Sequence, residues 1–148
     1  MGLSLWLSTL PALGQSANPV RSIPIAAFDD IVRQSENCLV VVMAAWCHPC
    51  IQELPHLNAL DRKYRPQGLK TVGISLDYAG PEAMQPIIDD LKVGFPIYWT
   101  GEAAIEKYAI TKIPLLLFVR KGRILRRVQG GRDIAAIEKE IMAFLETP

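Results

Sequence analysis

Residues 38 to 44, "CLVVVMA", are an apolar run without polar alternation, which suits a strand buried on both faces. Such a strand sits centrally in a sheet and needs a layer on each side. The residues that follow supply one, because Ile51, Leu54, Leu57, Leu60 and Tyr64 recur at helical steps between Pro49 and Tyr64, with Gly68 as the stop. The same alternation runs through the chain. Ile23 to Ala26 reads as a short edge strand, Phe28 to Gln34 as a helix, Leu69 to Leu76 as a second buried strand, and Pro81 to Leu91 as a helix opened by proline. Phe95 to Trp99 reads as a short strand and Glu102 to Tyr108 as a short helix. Pro114 to Val119 and Ile124 to Val128 then form a hairpin across "RKGR", and Asp133 caps a last helix carrying Ile134, Ile137, Ile141 and Phe144 on one face. The expected class is an α/β sandwich.

With 148 residues, half of them apolar, one domain can bury about two-thirds of its unfolded surface, so neither metal nor disulfide is needed to fold it. The net charge is +1, and basic residues cluster only between Arg120 and Arg132. Nucleic acid is excluded as a partner on that ground. Arg120, Lys121, Arg123, Arg126 and Arg127 read as a solvated hairpin edge, whose charges discourage edge-to-edge pairing.

The first 20 residues carry no charge, and their leucine-rich stretch is too short to span a bilayer but suits the apolar core of a signal peptide. A basic start is missing. Residues 1–19 are therefore read as a flexible signal-peptide remnant or membrane anchor, the alternative being a plain tail, and residues 20–148 as the domain.

Between the first buried strand and its helix lies "WCHPC", residues 46 to 50, so Cys47 falls at about the helix N-cap and Cys50 one turn later. Unpaired N–H groups and the positive end of the helix dipole stabilise an anion there. A thiolate is that anion, and lowering a thiol's pKa from about 8.5 makes it a nucleophile near neutral pH. Cys47, the more exposed and N-terminal of the two, is the expected attacker; Cys50 lies close enough to resolve a mixed disulfide. Pro49 fits the helix start and stiffens the loop.

Other chemistries fit less well. A structural zinc site wants four ligands, and beyond this pair the chain offers only Cys38, His48 and His56, with Cys38 at the far end of the preceding strand. No metal site is expected, although two thiolates with His48 and His56 could hold copper. A structural disulfide between such near neighbours gains little loop-closure entropy. Peroxidase chemistry on a similar fold would want a Thr where Ala44 stands. Cys38 itself reads as a buried small hydrophobe.

"WCHPCIQELPHL", followed by "GISLD", "FPIYWT" and "YAITKIPLLLFVRKGRI", resembles the TlpA/ResA-type extracytoplasmic thiol-disulfide oxidoreductases of the thioredoxin superfamily over about residues 20 to 146. The resemblance implies a three-layer thioredoxin-like fold, a central mixed sheet flanked by helices, with residues 76 to 100 as the added helix and strand. It implies Cys47 as nucleophile, Cys50 as resolving thiol, and Glu53 as an active-site acid that raises thiol pKa values and handles protons. Trp46, His48, Pro49, Ile113 and Pro114 would contact substrate, with Ile113-Pro114 cis. Thioredoxins place a buried Asp six residues before the first cysteine, where Val41 stands here. Glu53 is then the only nearby acid, and Pro55 should kink the helix beside it.

The expected activity is reduction of protein disulfides outside the cytoplasm by a Cys47-Cys50 couple without further cofactor. The resemblance implies periplasmic or extracytoplasmic location, a monomer, an upstream membrane electron donor, and apocytochrome c or an oxidase copper-site dithiol as target. The alternatives are a disulfide oxidant or isomerase, and a copper-binding chaperone-like module.

Overall fold

The computed structural model describes residues 14–131 and 133–148; of residues 1–19, read as a leader or anchor, the leucine-rich part lies outside them. Strand β1 (Arg21–Ser22) is followed by α1 (Ile25–Arg33), β2 (Asn37–Met43) and α2 (His48–Tyr64). Then come β3 (Leu69–Ser75), α3 (Gln85–Asp90), β4 (Ile97–Trp99), α4 (Ala103–Lys107), β5 (Leu115–Arg120), β6 (Arg123–Gln129) and α5 (Ile134–Glu146). The strands form one mixed sheet in the order β1-β4-β3-β2-β5-β6, with β2 at its heart. Pairs from β1 to β2 are parallel; β2–β5 and β5–β6 are antiparallel.

Alternation along the central strands divides the core in two. Leu39, Val41 and Met43 of β2, with Leu116 and Phe118 of β5, face Leu54, Leu57 and Leu60 of α2, Ile88 of α3 and Ile137, Ile141 and Phe144 of α5. Cys38, Val40 and Val42, with Leu115, Leu117 and Val119, face Phe28 and Val32 of α1 and Ala104 of α4. The result is the three-layer arrangement expected. Val41 lies in the first of these layers as plain packing, and Cys38 is a fully buried free thiol whose pKa is pushed up to about 11 by burial.

Prolines move several boundaries. The first strand is Arg21–Ser22 rather than Ile23 to Ala26, because Pro24 cannot donate to the ladder and instead precedes a helix that begins at Ile25. Ile23 N–H still reaches the Trp99 carbonyl at 3.0 Å. The expected helix from Pro81 to Leu91 splits into a 3₁₀ turn, Pro81–Ala83, and α3, whose second residue is Pro86. Helix α2 is continuous through Pro55 and ends in a second 3₁₀ turn, Arg65–Gln67, before Gly68. The chain is also packed before residue 20: the Asn18 amide donates to the Val93 and Phe95 carbonyls at 2.9 and 2.8 Å.

The basic hairpin is the solvated edge expected, with Lys121, Arg123, Arg126 and Arg127 exposed and Arg120 half-buried. Arg120 donates to the Phe144 carbonyl and to Asn37, Arg127 to the Tyr108 carbonyl, and Arg126 pairs with Glu140. These arginines tie the sheet edge to its neighbouring helices.

Candidate active site

Parallel strands that lie side by side deliver the loops after them to one edge of the sheet. Met43 pairs with Ser75, so the turn leading into α2 and the turn after β3 emerge together. In the first of these, Cys47 N–H donates to the Ala44 carbonyl at 3.1 Å, which closes a tight turn over Ala45 and Trp46. Cys47 is then the N-cap of α2, and its Sγ accepts the Cys50 N–H at 3.3 Å. The two cysteines are joined as a disulfide with Cα atoms 5.3 Å apart. In this oxidised form both are buried, at 5% and 3% exposure, so accessibility does not distinguish the attacker. Their positions differ: only Cys47 occupies the cap. Around it Trp46 is 59% exposed, and His48 and Pro49 also face solvent.

The Ile113-Pro114 bond is cis, as expected. Pro114 is buried, its carbonyl accepts the Gly130 N–H at 2.8 Å, and Ile113 packs on the core cluster that contains Cys47 and Cys50. Glu53 meets the same corner. Its Oε1 accepts the Gly131 N–H at 3.2 Å, and a Cβ on Gly130 would stand 2.7 Å from Glu53 Oε2 and 2.3 Å from Pro114 Cβ. Gly130 is thus the one residue type that lets the carboxyl, the proline and the last turn close together. Burial pushes the Glu53 carboxyl above its ordinary 4.5, only partly offset by the Gly131 hydrogen bond and the nearby His56. It is an acid disposed to keep or accept a proton near the dithiol.

Two clefts flank the loop. One, of about 450 Å³, runs from Pro49 past Gln52, Glu53 and His56 to Ile134 of α5. The other, of about 230 Å³, is walled by Trp46, Tyr78, Ile110, Lys112 and Ile113. Tyr78, 73% exposed, was not signalled by any local pattern. Neither were the roles of Gly130 and Gly131, whose pairing reads in sequence only as punctuation before α5.

One expectation is corrected. Glu53 is not the only acid beside the dithiol, because the buried Asp77 accepts the Ala45 N–H at 3.0 Å on both carboxyl oxygens, two residues before Cys47. Asp77 closes the quoted "GISLD", but only the parallel β2–β3 pairing carries it to this loop.

The family model described as AhpC/TSA matches residues 25–128. The chain is 31% identical over 108 residues to the thiol-disulfide oxidoreductase ResA of Oceanobacillus iheyensis, an alignment covering 71% of this chain and 55% of that protein. It spans about half the length of the relatives it matches. Among solved structures it is similar to a putative thiol:disulfide interchange protein DsbE from Chlorobium tepidum, with 25% identity, a TM-score of 0.69, and 76% and 82% of the two chains covered. A secreted disulfide oxidoreductase of Mycobacterium tuberculosis shares the fold at 18% identity and a TM-score of 0.65, over 73% and 81% of the chains. By the span of the family model the chain belongs to the AhpC/TSA family, and around its dithiol it is similar to the ResA thiol-disulfide oxidoreductases.

Proposed function

We propose that the chain reduces disulfides of other proteins outside the cytoplasm, using the Cys47-Cys50 couple and no other cofactor. The observation that carries this reading is the N-cap placement of Cys47, where its sulfur already accepts the Cys50 N–H, beside a buried Glu53 with raised proton affinity. In the reduced protein the Cys47 thiolate attacks one sulfur of the target disulfide. That bond breaks, the leaving sulfur takes a proton, and Cys47 is left in a mixed disulfide. Cys50 gives its proton to Glu53 and attacks the Cys47 sulfur, releasing the second target thiol. Two electrons have moved from the dithiol to the target, and an upstream membrane donor restores Cys47 and Cys50.

An extended target segment lies against Trp46, His48, Pro49 and Ile113, with Tyr78 as a further wall and the buried Pro114 shaping the backbone beneath it. By the family resemblance, Pro49 directly before Cys50 matches the arrangement of reducing members. The extracytoplasmic location is supported by the secreted M. tuberculosis neighbour and by the uncharged leader-like start of the sequence. Among the described residues no helix is long and apolar enough to cross a membrane. The chain works as a monomer, and its targets are thiol pairs awaiting a cofactor, such as apocytochrome c or an oxidase copper site.

Replacing Cys50 by Ser leaves the mixed disulfide unresolved. Cys50→Ser protein, passed reduced over an extracytoplasmic extract, should accumulate a partner joined through Cys47 and released by dithiothreitol. Absence of any Cys47-linked species, alongside copper bound in proportion to protein, would replace this reading with the metal-binding one.

A further inference from the structure

Beneath the turn that carries Cys47 lies a set of hydrogen bonds that the exchange reaction does not itself use. Both oxygens of Asp77 accept the Ala45 N–H at 3.0 Å; Ser75 Oγ donates to Oδ2 at 2.7 Å; Trp99 Nε1 donates to the Asp77 carbonyl at 2.7 Å. Ser75 is wholly buried and Asp77 4% exposed, so water competes little for these bonds. Ala45 is the first central residue of the turn whose closing bond runs from Cys47 N–H to the Ala44 carbonyl. The carboxyl therefore holds the turn at one end while the start of α2 holds it at the other.

We propose that Asp77 is the positioning residue for Cys47, clamping the Ala45-Trp46 turn so that the sulfur remains the N-cap of α2 when the disulfide is open. The inference rests on Cys47 being the attacking thiol. In the oxidised protein the Cys47-Cys50 bond itself fixes the cap. After reduction that staple is gone, and the Asp77 clamp is what keeps the sulfur over the Cys50 N–H and the helix dipole. The same clamp sets the wall of the smaller cleft, because Trp46 belongs to the turn and Tyr78 follows Asp77 directly.

Geometry and charge make opposite demands, which allows a test by sign. Asp77→Ala frees the turn, so the thiolate loses its cap. Asp77→Asn removes a negative charge but keeps an oxygen for the Ala45 N–H, and the Ser75 hydroxyl can turn to accept from the amide. His48, Cys50, Glu53, His56, Tyr78 and Lys112, the other titratable groups described around this loop and its two clefts, are the same in all variants. The measurement is the rate of Cys47 alkylation by iodoacetamide in fully reduced full-length protein, followed against pH by mass spectrometry. Both variants lose the charge and only Asp77→Ala loses the oxygen for the Ala45 N–H, so the Asp77→Ala midpoint should lie about one unit above that of Asp77→Asn, with alkylation near neutral pH about tenfold slower. Asp77→Asn should leave the midpoint at or below the parent value. Equal midpoints in folded Asp77→Ala and Asp77→Asn, or an Asp77→Asn midpoint above that of the parent, overturn the proposal. Ser75→Ala, which removes only the group orienting the carboxyl, serves if Asp77→Ala does not fold. It should shift the midpoint up from the parent value by less than that difference, and no shift overturns the proposal. The readout needs no target protein, so failure of the reductase reading appears separately, as a parent that alkylates normally but reduces nothing.

Discussion

Burial gives Glu53 a higher proton affinity in the folded chain than in the unfolded one, and the consequence has a definite sign. The native state binds more protons than the unfolded state in the interval above the ordinary value of 4.5, so stability falls as pH rises through it. Glu53→Gln removes that loss. It should raise the melting temperature relative to the parent at pH 8 and give little or no advantage at pH 4, read by thermal unfolding at the two values. It should also slow resolution of the mixed disulfide at least roughly tenfold, because the proton acceptor for Cys50 is gone. Glu53 was singled out by the family resemblance that its place behind the cysteines carries. Asp77 was not, because 32 residues separate it from Ala45 and its part depends on strand pairing rather than on any local period.

Among the elements, β2 and α2 were the easiest to read, since each carries one uninterrupted pattern. What misled the reading elsewhere was proline, which cut a strand short at Pro24 and divided a helix before Pro86. The junction of β6 and α5 shows how far an element boundary can matter for chemistry. Gly130 and Gly131 lead the chain from a sheet edge to a helix cap at Asp133, and on the way they seat Pro114 and Glu53. A methyl group at 130 has no room against the rigid proline ring. Gly130→Ala should cost about 1–3 kcal/mol in urea unfolding by overpacking. It should also disturb the pH dependence of exchange, which an ordinary core defect distant from Glu53 would leave unchanged.

At the scale of the molecule, the sheet brings three distant parts of the sequence to one edge: the dithiol turn, the cis-proline loop and the turn after β3. The fold class was visible from alternating periodicities, and the candidate site from a five-residue motif, with Glu53 and the downstream proline added by the family resemblance. The clefts were not visible, because a wall such as Tyr78 against Trp46 is made by tertiary placement. The direction of electron flow lies finer still, since the span from reductant to oxidant, roughly −270 to −120 mV, amounts to only about 7 kcal/mol of relative stability between dithiol and disulfide. The most direct test of the reductase account is therefore the reduction potential of the Cys47-Cys50 couple, obtained by equilibrating the protein with glutathione or dithiothreitol buffers. The account predicts a value toward the thioredoxin end, below about −200 mV; a value near −120 mV would contradict it and make the chain an oxidant.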